Sequence, residues 1–107
     1  SPSLRAEIEQ QLSLLYKRAR RWEEANVLWE QLRASTHGSI FACIELAKYH
    51  EHHTRNYSYA LALALEAYEL RLANPYVPGP TLAELNYRVT RLRRKLMNQT
   101  GEPPYGD

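Results

Sequence analysis

Aspartate is nearly missing from this chain of 107 residues: none precedes Asp107. Two-metal phosphodiester chemistry needs several fixed carboxylates, so the chain by itself is not expected to cleave a phosphodiester. Cysteine is scarce as well. Cys43 has no partner within the chain, which excludes an internal disulfide framework and makes a reducing, cytoplasmic setting the simpler expectation. With four glycines there is no glycine-rich phosphate loop. No apolar run approaches the roughly 18 residues of a membrane span, and no charged start is followed by an apolar segment of the signal-peptide kind. The first residue is Ser1 rather than a methionine, and the expectation is a piece cut from a longer protein.

What is present is helical patterning. Residues 46–67 read as two helical runs around a polar break, with Ala60, Leu61, Ala64, Leu65 and Ala67 alternating small and large at helical spacing. That is the pattern of an αα-hairpin packed through alanines. Ahead of it, Leu4, Ile8, Gln11, Leu12, Leu15 and Tyr16 fall on one stripe, the side expected to face the core, with Ser3 as N-cap. Trp22, Ala25, Leu28, Trp29 and Leu32 form the next stripe after a turn at Arg20 and Arg21. No glycine or proline marks that turn, so one unbroken helix is the alternative. Gly38 is expected to cap a helix C-terminus and Ser39 to start the next helix, the most apolar of the five and so the middle one of the bundle. Asn56 or Thr54 caps the fourth helix, Asn74-Pro75 stops it, and Thr81 with Glu84 forms a capping box for the fifth. Leu82, Leu85, Val89, Leu92 and Leu96 are the apolar stripe of that last helix.

The two hairpins superpose in sequence. Leu12-Ser13 precedes Leu46-Ala47 by 34 residues, and Trp22 and Ala25 precede Tyr57 and Ala60 by 35. Small residues Ser13, Ala25, Ala47 and Ala60 are expected where helices touch, and Tyr16, Trp22, Trp29 and Tyr57 between hairpins. The pattern resembles the tetratricopeptide repeat, whose period is about 34. The resemblance covers residues 4–75 and departs from the family's motif at Ala64, where an aromatic is usual, and in the late Pro75. A narrower resemblance, through Leu46, Ala47, Lys48, Tyr49, Glu51, His52, Tyr57, Ala60 and Leu61, is to the helical region that follows the ribonuclease-H-like, predicted exonuclease domain in bacterial proteins of the YprB type. It implies that any catalytic domain lies outside this chain.

These readings give an all-α fold: a single domain over residues 1–98, with two stacked antiparallel, tetratricopeptide-like hairpins (4–34 and 40–73) and a fifth capping helix (81–98). The stack is expected to form a right-handed α-α superhelix, with 99–107 a disordered tail.

Charge is close to balanced, 14 basic against 12 acidic residues, yet unevenly spread. Residues 80–98 hold Arg88, Arg91, Arg93, Arg94 and Lys95 against Glu84 alone, and Lys17, Arg18, Arg20 and Arg21 form a second basic knot. Such asymmetry bears on association rather than fold. Arg88, Arg91 and Lys95 fall on a stripe apart from the apolar one and are expected to form an exposed ridge. With Arg20, Arg21 and Arg94 they are the candidates for contact with a nucleic-acid backbone. Tyr49, Tyr59 and Tyr68 are the candidates for a concave protein-binding groove. Of Tyr57 and Tyr59, two apart on one helix, Tyr59 is expected to be the exposed one. His50 and His53 have helical spacing for a shared metal, but no HExxH accompanies them and a helix C-terminus favours histidine electrostatically, so no metal is expected. Cys43 lies in the most apolar run and reads as an inert buried thiol. Glu23, Glu24, Glu66 and Glu69 read as ordinary surface pairs with Arg20, Arg21 and Arg71. No catalytic group or cofactor is expected. The function anticipated is a non-catalytic protein-interaction or scaffolding module, the accessory part of a nuclease-like protein. Its partner would be another protein or another domain of the same chain, with no membrane and no small-molecule substrate, and the rival reading is nucleic-acid binding through the basic ridge.

Overall fold

The computed structural model describes residues 2–101. Five helices follow in order, α1 (Pro2–Arg18), α2 (Trp22–Arg33), α3 (Ile40–His52), α4 (Tyr57–Ala73) and α5 (Leu82–Thr100). Each packs chiefly on its neighbours in the chain, so α1–α2 and α3–α4 are stacked hairpins and α5 closes the far side against α4. None of these helices is long and apolar enough to cross a membrane.

Helix starts follow local chemistry. The Ser39 hydroxyl accepts from the Ala42 amide and the Asn56 side chain from the Tyr59 amide. Thr81 and Glu84 bond each other's backbone amides in a reciprocal box. Three expectations need correction. Helix α1 already includes Pro2, so Ser3 lies inside it rather than capping it. Helix α2 ends at Arg33 with Ala34 as its C-cap, and Gly38 instead turns the chain at φ +68°, beside Leu70. Helix α5 runs on to Thr100 and is capped by left-handed Gly101, so residues 99 and 100 are helical, not tail. Residues 102–107 lie outside the described residues.

The core is built on small-residue contacts. Ser13, Ala25, Ala47 and Ala60 are completely buried, and Trp29 fills the space between hairpins with no exposure at all. Ala25, Trp29, Leu32, Leu46, Ala47 and Leu63 form the main cluster, while Ala60 and Ala64 meet Val89 and Leu92 of α5. Helix α1 departs from the expectation. Most of its apolar stripe points outward, with Leu4, Ile8 and Leu15 more than half exposed, while Tyr16 of that stripe and Ser13 pack inward as expected, beside Ala6. A stripe faces the core only if another element covers it, and at the start of the stack none of the described residues does. Leu82 of the α5 stripe is also exposed, at the loop-side end.

That loop, residues 74–80, is held by a buried arginine. Arg71 Nε donates to the Pro80 carbonyl at 2.9 Å, and Nη1 to the carbonyls of Asn74 (3.1 Å) and Val77. Gly79 has φ +146°, and a Cβ there would sit 2.7 Å from Arg71 Nη2, so glycine is what lets the guanidinium in. Arg71 is therefore a loop clamp and not a surface partner of Glu66 or Glu69.

Candidate functional site

Helices α1, α3 and α5 run in the same direction and share one face. Two buried carboxylates of α3 tie it together. Glu45 accepts from Lys17 of α1 at 2.7 Å, with Lys48 at 3.7 Å. Glu51, whose side chain is wholly buried, accepts from Arg91 through Nε (2.9 Å) and Nη2 (2.8 Å) and from Lys95 at 2.7 Å. Arg88 reaches the same carboxylate only at 3.5 Å. Burial pushes the Glu51 carboxyl up, but the hydrogen bonds and charges of Arg91 and Lys95 outweigh it and hold it at about 2. Arg91 is raised by its bond to Glu51, whereas Arg88 is lowered by burial and by the charge of Arg91. The expected ridge of Arg88, Arg91 and Lys95 is thus turned inward onto one carboxylate, and only part of each side chain remains at the surface.

Neither Glu45 nor Glu51 stands out in the sequence as a partner for these cations. A usable signal exists, because a carboxylate inside or ending an apolar helix must find a donor. The chain contains those donors 28, 40 and 44 residues away.

The remaining basic candidates lie elsewhere. Arg21 pairs with Glu24 and sits 5.2 Å from the Tyr16 ring. Arg20 and Arg94 are exposed, as are Arg18, Arg55 and Arg93, and none of these five makes an ion pair among the described residues. Gln99 donates to the Arg55 carbonyl and Trp22 stacks with His53, so the C-terminal ends of α1, α3 and α5 share one end of the molecule.

The three tyrosine candidates do not line a common groove. Tyr49 packs among Trp22, His50 and His53. Tyr59 faces α2, where its hydroxyl donates to Glu30 at 2.6 Å, and burial together with that bond pushes it up to about 12. Tyr68 packs beside Cys43, Ala67 and Leu85 in a separate cluster. Tyr57 and Tyr59 are both half-buried, which corrects the expectation that Tyr59 is exposed. Helix α4 has neighbours on two sides, so Tyr57 packs towards α5 and Tyr59 towards α2.

His50 and His53 are not brought together on a vacant corner. Each packs against the Tyr49 ring, and His50 Nδ1 is bonded to Thr54 Oγ1 at 2.9 Å. Burial lowers His50. Among the described residues no three His, Cys, Asp or Glu side chains form a metal-holding group.

Cys43 is fully buried and its thiol donates to Glu66 at 3.0 Å; burial first, then that bond, raises it far above the ordinary thiol range. A thiol held protonated is a poor nucleophile. Glu66 in turn accepts from Arg33 through Nε and Nη2, both at 3.0 Å, and Arg33 reaches Glu30 at 3.2 Å. This chain of contacts joins α2, α3 and α4, so Glu66 is a cross-helix partner rather than a local surface pair.

Hollows cluster on the face of α1, α3 and α5. One of about 460 Å³ is lined by Ile44, Pro80, Ala83, Leu85 and Tyr87 together with Glu84 and Arg88. A second, of about 640 Å³, continues past Ile44 to Phe41, Lys48 and Glu7. A smaller one of about 180 Å³ lies between Lys17, Lys48, Trp22 and Tyr49. Trp29 also lines it, and the buried indole N–H of Trp29 has no acceptor among the described residues.

The Bacillus subtilis (strain 168) protein described as "Uncharacterized protein YprB" is 41% identical to this chain over 87 residues. The match covers 78% of this chain and 20% of that protein, so the chain spans about a fifth of its relative's length. No family model matches the chain, and no solved structure matches it.

Proposed function

We propose that the chain is a non-catalytic docking module that holds an acidic, partly apolar segment of a partner protein along the face of α1, α3 and α5. One observation carries this reading: the apolar hollow around Ile44, Pro80 and Leu85 is also lined by Arg88, a half-buried guanidinium whose nearest carboxylate already accepts three hydrogen bonds from Arg91 and Lys95. A half-buried cation without a hydrogen-bonded counter-charge favours an incoming carboxylate, and the hollow gives that carboxylate's neighbours an apolar seat. Lys17 and Lys48, both paired with Glu45, supply further polar anchors on the same face. The match to a fifth of the length of YprB fits a module within a longer protein, and its accessory role beside a ribonuclease-H-like domain rests on the sequence resemblance in residues 44–61.

A selection of displayed peptides on the immobilised chain tests the reading. Enriched sequences should combine acidic with aliphatic or aromatic residues. Arg88→Ala with Lys48→Ala should weaken the best of them at least about tenfold while the circular dichroism spectrum stays unchanged. No enrichment, or binding indifferent to the two substitutions, would count against it.

A second reading, contact with a nucleic-acid backbone, is favoured by Arg18, Arg20, Arg55, Arg93 and Arg94, exposed without an ion pair among the described residues. Binding by this set should fall steeply between about 50 and 200 mM salt and be lost in Arg20→Glu with Arg55→Glu and Arg94→Glu. Absence of binding to DNA and RNA at the lower salt would remove it.

A further inference from the structure

The two ends of the helix stack differ. Helix α5 turns Asn86, Thr90, Arg93 and Arg94 to the outside, a polar closure. Helix α1 turns out Ile8, Leu12 and Leu15, which are 58%, 38% and 57% exposed, and with Glu7 and Gln11 they border a shallow apolar hollow of about 480 Å³. Helical arrays need a polar outer face where they end. The α1 end lacks one, and three large apolar side chains in one line on a single helix are the pattern of a helix–helix contact.

We propose that this stripe is covered by the same stripe of a second copy of the chain, the two α1 helices lying antiparallel about a two-fold axis. The charges beside the stripe select this occupant and this orientation. At 3.6 residues per turn, Glu7 and Arg18 flank the stripe on the same side, Glu7 near its start and Arg18 near its end. Both are exposed and neither makes an ion pair among the described residues. On the opposite flank Arg5 and Glu9 are already paired with each other at 3.4 Å. An antiparallel pair centred between Gln11 and Leu12 sets Ile8 against Leu15 of the second copy. It also brings Glu7 within side-chain reach of the second copy's Arg18, twice over by symmetry. A parallel pair would instead set the Glu7 and Arg18 flank against the opposite flank of the second copy, where Arg5 and Glu9 are already paired with each other. Gln11 falls next to the axis, where an amide can both donate to and accept from its own copy. An isologous contact of this kind is self-complementary and closes at two copies.

The interface is small, so the dimer should dissociate on dilution, with a dissociation constant on the order of micromolar to tens of micromolar. Sedimentation of the whole chain from about 1 to 500 µM should show the mass rising from 12.5 kDa towards twice that value. Ile8→Glu with Leu15→Glu should leave a monomer at every concentration, with helical content intact. Glu7→Arg should weaken association at least about fivefold, and Glu7→Arg with Arg18→Glu should restore it. A monomer at the highest concentration overturns the proposal. So does a dimer that survives Ile8→Glu with Leu15→Glu, or a double charge swap that fails to rescue. Ile8 and Leu15 line none of the hollows on the face of α1, α3 and α5, so the outcome of Ile8→Glu with Leu15→Glu is independent of the peptide selection.

Discussion

Glu51 places a fully buried carboxylate under three donor atoms from two side chains of another helix. Its ordinary carboxyl value of 4.5 drops to about 2 in the fold, because the bonds from Arg91 and Lys95 outweigh the cost of burial. A depressed folded value means that the ionised form stabilises. The contribution is complete above about pH 5, shrinks as the pH falls through the window between 4.5 and 2, and is gone below it. Its ceiling is roughly 3 kcal/mol. Glu51→Gln is expected to lose about 2 kcal/mol at pH 7, measured by urea unfolding, with the deficit narrowing as the pH approaches 2. A deficit of equal size at pH 7 and pH 3 would show that Glu51 acts by shape rather than charge. None of this could be read from residue 51 alone. Arg91 and Lys95 lie on a stripe that local periodicity assigns to solvent, and a partner 40 residues away is not a local property. The same holds for Glu66, whose sequence neighbours suggest surface pairing while its actual partners, Arg33 and Cys43, sit on other helices.

The elements were more legible, because their ends are set within a few residues. Ser39, Asn56 and the Thr81–Glu84 pair each bond an amide three residues away, so the cap and the helix it starts are written together. The turn between α1 and α2 had only periodicity to mark it, and the structure shows what closes it. Arg20 takes φ 59°, and Arg55, 35 residues later in the α3–α4 turn, takes φ 57°. The two hairpins reverse through the same left-handed residue, with arginine at both positions and no glycine to reveal it. Left-handed backbone costs a side-chain-bearing residue about 1–2 kcal/mol, part of which glycine returns through its freer unfolded state. Arg20→Gly and Arg55→Gly are therefore each expected to raise stability by about 0.5–1 kcal/mol in thermal or urea unfolding. The Gln99 bond to the Arg55 carbonyl would be kept, since it uses backbone only. A loss of stability in either variant would mean that the arginine side chain holds the turn.

For the molecule as a whole, the order of packing predicts the order of opening. Helices α3 and α4 each have neighbours on two sides, whereas α1 packs chiefly on α2. In hydrogen exchange at low protein concentration, amides around Leu46 and Leu63 should be the last to exchange and those of the first half of α1 among the first. Uniform protection across all five helices would contradict that gradient. The sequence by itself determined where the helices lie, where they break and which small residues let them touch. Those features depend on spacing, on caps a turn away and on the size of Ser13, Ala25, Ala47 and Ala60. Only the tertiary structure decided which side of α1 is inside and which cations remain at the surface. Burial and neutralisation belong to pairs of groups far apart in the chain. An end helix on which none of the described residues stacks shows solvent the same stripe that a middle helix would bury.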